Sequence, residues 1–157
     1  MTPTIVAIGS NIPPRRQTLR DGIADLARLP KTRLLATSPL RESDPVDCPA
    51  GSGPFVNGAC LLETELDARA LLTALLDIER THGRERSEPG APRTLDLDLV
   101  LHGATVLDEP DLVVPHPRAH ERMFVLEAAA DVAPDLGHPV LGRTLSELRD
   151  ELRSCAS

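Results

Sequence analysis

Residues 92–103, PRTLDLDLVLHG, alternate leucine with aspartate and then run on into apolar sequence. Successive side chains of a strand point to opposite faces. A strand here therefore sends Leu95, Leu97 and Leu99 one way and Asp96 and Asp98 the other. Two neighbouring carboxylates on one sheet face repel each other unless something offsets their charge. A divalent cation does so directly, and a pair of hard oxygens with room for waters and phosphate oxygens is how magnesium is usually held. An isolated pair of aspartates on a strand also describes a solvated sheet face, so the surrounding sequence has to separate the two readings.

Three neighbouring features favour chemistry. Arg93 sits just upstream, an Arg-bearing loop precedes it, and VPHPRAHERMF offers His116, Arg118 and Arg122 shortly after. Metal ligands, arginines and a histidine around a mobile loop suit phosphoryl transfer, where a protein mainly positions groups and neutralises charge. Neither GxxxxGK[ST] nor GxGxxG occurs, so a P-loop or Rossmann site is not supported.

The rest of the chain supplies a frame for that strand. TIVAIGSN opens with a buried strand that stops at Gly9-Ser10-Asn11. Leu19, Ile23 and Leu26 mark a helix over Thr18–Leu29, which Pro30 ends. TRLLATSPL reads as a second strand and residues 41–54 as a long loop, a length that more often serves function than filler. FVNGACLLETE is a third strand, with Phe55 and Asn57 on one face. Asp67 can cap a helix whose apolar face is Ala68, Leu71, Leu72, Leu75 and Ile78, ending near Gly83. Short strands are expected near 105–107 and 112–114, and a helix over about 122–130. A last helix starts at Thr144, with Glu147 completing a capping box and Leu145, Leu148 and Leu152 facing inward. The order β-α-β-β-α-β plus short extras predicts one α+β domain over residues 1–157, with a mostly antiparallel sheet.

Composition removes several function classes. The chain has 157 residues, a formal net charge of −7, and two aromatics, Phe55 and Phe124. It offers no basic footprint for nucleic acid or anionic membranes and no aromatic stacking platform. Its positive charge is nearly all arginine, which suits bidentate phosphate contacts. Cys48, Cys60 and Cys155 show no metal spacing, and their odd number argues against a disulfide framework. Without a leader or an apolar run of membrane length, a soluble cytoplasmic protein with reduced thiols is expected.

The segments AIGSN, FVNGA, GRERSEPGAPRTLDLDLVLHG and VPHPRAHERMFVLEAAADVAPDL occur in this order. Together they closely resemble the 6-hydroxymethyl-7,8-dihydropterin pyrophosphokinases of folate biosynthesis, from about residue 4 to 150. The resemblance implies a ferredoxin-like fold with additional C-terminal helices, and transfer of the β,γ-pyrophosphoryl unit of MgATP to the pterin hydroxymethyl group with release of AMP. It places two Mg²⁺ ions, bound with ATP, on Asp96 and Asp98. It assigns Arg84 and Arg93 to the phosphates as catalytic loop arginines, His116 and Arg122 to further ATP contacts, and Glu79 and Leu99 to the nucleotide site. Phe55 and Phe124 match the rings that sandwich the pterin, Asn57 the residue bonding its edge, and Ser43, Asp44 and Val46 the loop beside it. The loop from Arg84 to Pro92 is expected to close over bound ATP, although it lacks the tryptophan common in the family and carries Glu85 and Glu88. The expected partners are ATP and the pterin, without nucleic acid or membrane, on a monomer. Two other readings use the same residues: a metal-dependent phosphodiesterase or nuclease, and a non-catalytic pterin or nucleotide sensor.

Overall fold

A computed structural model describes residues 1–10, 15–43, 55–82 and 95–156. The main sheet contains β1 (Thr2–Ser10), β2 (Thr32–Thr37), β3 (Arg41–Ser43), β4 (Phe55–Thr64) and β5 (Asp96–His102). Its order is β2-β4-β1-β5, every pairing is antiparallel, and β3 also pairs with β4. With α1 (Arg15–Ala27) and α2 (Ala68–Thr81) as crossovers, this is the ferredoxin-like α+β arrangement the element order predicts. A small hairpin follows, β6 (Leu107–Glu109) with β7 (Leu112–Val114), and then α3 (Met123–Val132) and α4 (Leu145–Ala156).

Two apolar layers sandwich the sheet. On one face Val6, Ile8, Val56, Cys60, Leu62, Leu97 and Leu99 pack with Leu19 and Leu26 of α1 and with Leu71, Leu75 and Ile78 of α2. On the other, Ile5, Ala59, Val100 and Leu101 pack with Val125, Leu126 and Ala129 of α3 and with Leu145 and Leu148 of α4. Gly22 lets α1 sit tightly on the chain just before β5, since a Cβ there would lie 2.9 Å from Leu95 Cδ2. Both predicted helix starts are built as expected. Asp67 accepts the Ala70 N–H at 2.7 Å. Thr144 Oγ1 accepts from Glu147 N at 3.2 Å, while Glu147 Oε1 accepts from Thr144 N at 3.0 Å.

The structure corrects several boundaries. α1 begins at Arg15, three residues before its expected start, because the polar Arg15-Arg16-Gln17 turn lies outside the apolar repeat that marks the helix. Residues 41–43 form β3 rather than loop. β2 and β3 run along the same partner and are separated at Pro39, which has no N–H to donate to a ladder. Ser38 bridges the break: its N–H reaches Ala59 O and its Oγ accepts from Ala59 N, each at 2.9 Å. α3 extends to Val132 and is preceded by a 3-10 turn at Ala119–Glu121.

Candidate active site

The register of three strands lays out the floor of the site. Asn57 on β4, Gly9 on β1 and Asp96 on β5 are direct cross-strand partners, and in the next row so are Ala59, Ala7 and Asp98. Across a sheet this puts Asn57 and Asp96 roughly 10 Å apart, with Asp96 and Asp98 about 7 Å apart along their strand. Only a glycine and two alanines lie between these polar groups, so the floor is shallow where they face one another. Asp96 and Asp98 are half-buried on this face, while Leu97 and Leu99 are buried on the other, as the alternation predicts.

β5 is the last strand of the sheet, so part of its backbone depends on other partners. Glu79 on α2, only 2 % exposed, accepts the Leu97 N–H at 2.8 Å, between the two aspartates. A β-bulge sits further along: Val6 faces Leu99 while Ile5 faces Leu101, which leaves Val100 as an extra residue. The Val100 carbonyl accepts the His116 N–H at 2.9 Å and so docks the segment after β7 against this strand.

That docking gathers the polar groups. Burial foremost, then the positive charge of Arg122, lowers the His116 pKa below the usual histidine value, while Asp96 pulls it upward. His116 Nδ1 accepts the Arg118 N–H at 3.2 Å, so the proton of the neutral ring is on Nε2. Arg122 stands at the start of α3, with its Nε buried.

Between β3–β4 and α3 lies a cavity of about 180 Å³. Asn57, Phe124 and Met123 line it, together with Arg41, Glu42 and Glu127. Phe124 is 40 % exposed, so its ring is no core anchor and is open to a ligand. Arg41 pairs with Asp131 at 2.6 Å, tying β3 to α3 across the cavity.

The structure thus brings Asn57 and Phe124 to one cavity and sets Asp96, Asp98, His116 and Arg122 beyond it on the same side of the sheet. Glu79 reaches the site only through the β5 backbone, and Leu99 is buried among α1 and α2 side chains. Ser43 and Phe55 are described as backbone alone, paired with each other. Asp44, Val46, Arg84, Arg93 and the loop over 84–92 lie outside the described residues. Sequence reasoning missed the cavity residues Arg41, Glu42, Met123 and Glu127. For Met123 and Glu127 a signal existed: they are four apart on a helix, on the face that carries Phe124. Arg41 and Glu42 had none, because a strand was not expected there.

The two aspartates suit a hard cation. Among the described residues no group of three or more His, Cys, Asp or Glu could enclose a metal, so most ligands would come from phosphates and water. Cys60 takes no part, since burial pushes its thiol up to about 12. No described helix is long and apolar enough to cross a membrane.

Residues 5–134 match the family described as 7,8-dihydro-6-hydroxymethylpterin-pyrophosphokinase. A 2-amino-4-hydroxy-6-hydroxymethyldihydropteridine pyrophosphokinase of Pseudomonas aeruginosa is 48% identical over 143 residues, covering 91% of this chain and 87% of that one. The enzyme of that name from Synechocystis is 36% identical over 148 residues, covering 94% and 75%. Among solved structures, a Plasmodium falciparum HPPK-DHPS with pteroate superposes with a TM-score of 0.76 at 13% identity, over 98% of this chain and 42% of that chain, a likeness of fold. By the length of the family match and by these identities, the chain belongs to the 7,8-dihydro-6-hydroxymethylpterin-pyrophosphokinase family.

Proposed function

We propose that the chain carries out its family's pyrophosphokinase reaction on the sheet face between Asn57 and Asp96, with MgATP as donor and 6-hydroxymethyl-7,8-dihydropterin as acceptor. The observation that carries this is the row Asn57–Gly9–Asp96. It joins a cavity holding an amide and an open aromatic ring to a pair of carboxylates flanked by a histidine and an arginine. A flat, polar-edged heterocycle suits the first, between a stacking ring and an amide. A triphosphate with its cation suits the second.

In this reading Phe124, with Phe55, stacks the pterin while Asn57 bonds its edge and Ser43, Asp44 and Val46 border it. The ring is thereby turned so that its hydroxymethyl group points along the floor toward the aspartates. The hydroxyl oxygen attacks the β-phosphorus of ATP, the bond from that phosphorus to the α,β-bridging oxygen breaks, AMP leaves and the hydroxyl proton is released. Magnesium, two ions in this proposal, would be held by Asp96 and Asp98 and supplies neutralisation of the β- and γ-phosphate charge. Arg84, Arg93, His116 and Arg122 bond phosphate oxygens and so hold the attacking and leaving oxygens in line. Burial and the charge of Arg122 lower the His116 pKa and so favour its neutral ring, which can donate a hydrogen bond without adding charge. The pterin end of the site needs no ion, and the phosphate end no aromatic ring.

The test is incubation with MgATP and hydroxymethyl-dihydropterin. Stoichiometric AMP and pterin pyrophosphate are expected. Inorganic phosphate without pterin pyrophosphate would make the protein a hydrolase, and tight binding without turnover a sensor.

A further inference from the structure

We infer that Gly9 is a positioning residue for acceptor recognition: the space left by its missing side chain is where the Asn57 amide lies. The inference deepens the proposed function and rests on its reading of Asn57 as the contact to the heterocycle edge.

Gly9 lies near the end of the central strand, fully paired on both sides, at a position where glycine needs explaining. In a strand interior glycine is weaker than alanine, since it gives up more conformational freedom and packs nothing. Its backbone does not require it. The described glycines with positive φ are Gly103 and Gly142, and Gly9 is not one of them. What it does provide is room. A Cβ built on Gly9 lies 2.9 Å from Asn57 Oδ1, with the Val56 carbonyl next at 3.7 Å. The Gly58 Cβ would instead meet Leu40, Ser38 and Ile8, and the Gly22 Cβ would meet Leu95. Among these tightly enclosed glycines, Gly9 alone is crowded by a candidate recognition group.

The atom in the way is the far end of a flexible side chain, so an alanine can be accommodated by moving that end. Relief requires the separation to grow from 2.9 Å to the ordinary 3.4 Å or more. A recognition group must hold its place within about 0.5 Å to keep a hydrogen bond of full strength. Gly9→Ala should therefore leave the sheet intact and spoil the amide's aim.

The experiment is steady-state kinetics on Gly9→Ala, Asn57→Ala and the double variant, with melting temperatures. Gly9→Ala should raise the pterin KM by about five- to tenfold, the effect of one neutral hydrogen bond, with kcat and the MgATP KM nearly unchanged. Its melting temperature should hold or rise, which a merely structural role for the glycine would not allow. In the Asn57→Ala background, adding Gly9→Ala should change nothing further, because the clash has lost its target. An unchanged pterin KM in Gly9→Ala alongside a raised one in Asn57→Ala overturns the inference alone, as do fully additive effects. An unchanged pterin KM in Asn57→Ala overturns the reading of Asn57 on which it rests. Should Gly9→Ala fail to fold, recovery of folding in the double variant supports the clash, and failure there as well overturns it.

Discussion

The two faces of the sheet are built from the same strands and obey different rules. Against α1 and α2 the inward positions are mostly aliphatic, with Cys60 and the fully buried Thr4, Ser10 and Thr64 among them, and the layer is closed. Against α3 and α4 the layer closes only where Ile5, Ala59 and Leu101 lie; beyond them the face opens onto Asn57, Asp96 and Asp98. The difference is one of side-chain size as much as polarity. Ala7, Gly9 and Ala59 keep the second face low, so the space above it is available to a ligand rather than to leucine. One face makes the molecule stable, and the other can then carry repelling charges and an exposed ring.

Substitutions on the two faces should therefore fail in different ways. Asp96→Asn or Asp98→Asn should lower kcat by roughly a thousandfold or more while the protein stays folded. Removing one of two repelling carboxylates should, if anything, raise the melting temperature of the metal-free protein. Near-normal turnover with unchanged Mg²⁺ dependence in both variants would break the division. Leu75→Ala, buried in the closed layer, should cost about 2–5 kcal/mol in denaturant titrations with little change in kcat per folded molecule. Phe124→Ala should do the reverse. The stacking loss of about 0.5–1.5 kcal/mol, plus buried area, should weaken pterin binding about tenfold while MgATP affinity and melting temperature stay near normal.

The smallest effect concerns pH. The pKa values of His116 and His138 both lie below the ordinary 6.5, in each case chiefly through burial. Between that value and the lower folded ones, the unfolded chain binds more protons than the folded one. The stability these groups contribute is thus complete above 6.5 and is lost as pH falls through their folded values. Denaturant midpoints should decline over that interval, and replacing both histidines with glutamine should flatten the decline at a lower overall stability. His138 Nδ1 accepts the Val140 and Leu141 N–H groups, which the replacement forfeits.

The closed face was the more legible of the two. Leucine alternation fixes which side of β5 is buried, and Asp67, Thr144 and Glu147 mark helix starts through local bonds a sequence can display. The aspartate pair was legible for the same reason, and Phe124 stood out in a chain so poor in aromatics. What stayed hidden depends on partners distant in sequence. Arg41, Glu42 and Ser43 form a strand because β4 offers them an edge, since their own pattern has no alternation. The nearness of Gly9 to Asn57 follows from register between strands some fifty residues apart, which no short window contains. Asn57 itself was placed on the right face by counting, yet its cavity comes from α3.

Val100 has a consequence for how the chain can change length. Before it, odd-numbered residues of β5 face α1 and α2; after it, Leu101 faces α3 and α4. The extra residue works like a phase shift between two messages written on one strand, the first a pair of carboxylates proposed to hold the cation and the second architectural. Keeping it in a regular ladder, with no bulge, would put one of them on the wrong side. Either Leu101 would turn toward the first layer, or Asp96 and Asp98 would turn into it; deleting Val100 would instead keep both on their present faces and forfeit the carbonyl that docks His116. A one-residue change of count is therefore absorbed at the bulge, whereas elsewhere in β5 it reads as a change of frame in space.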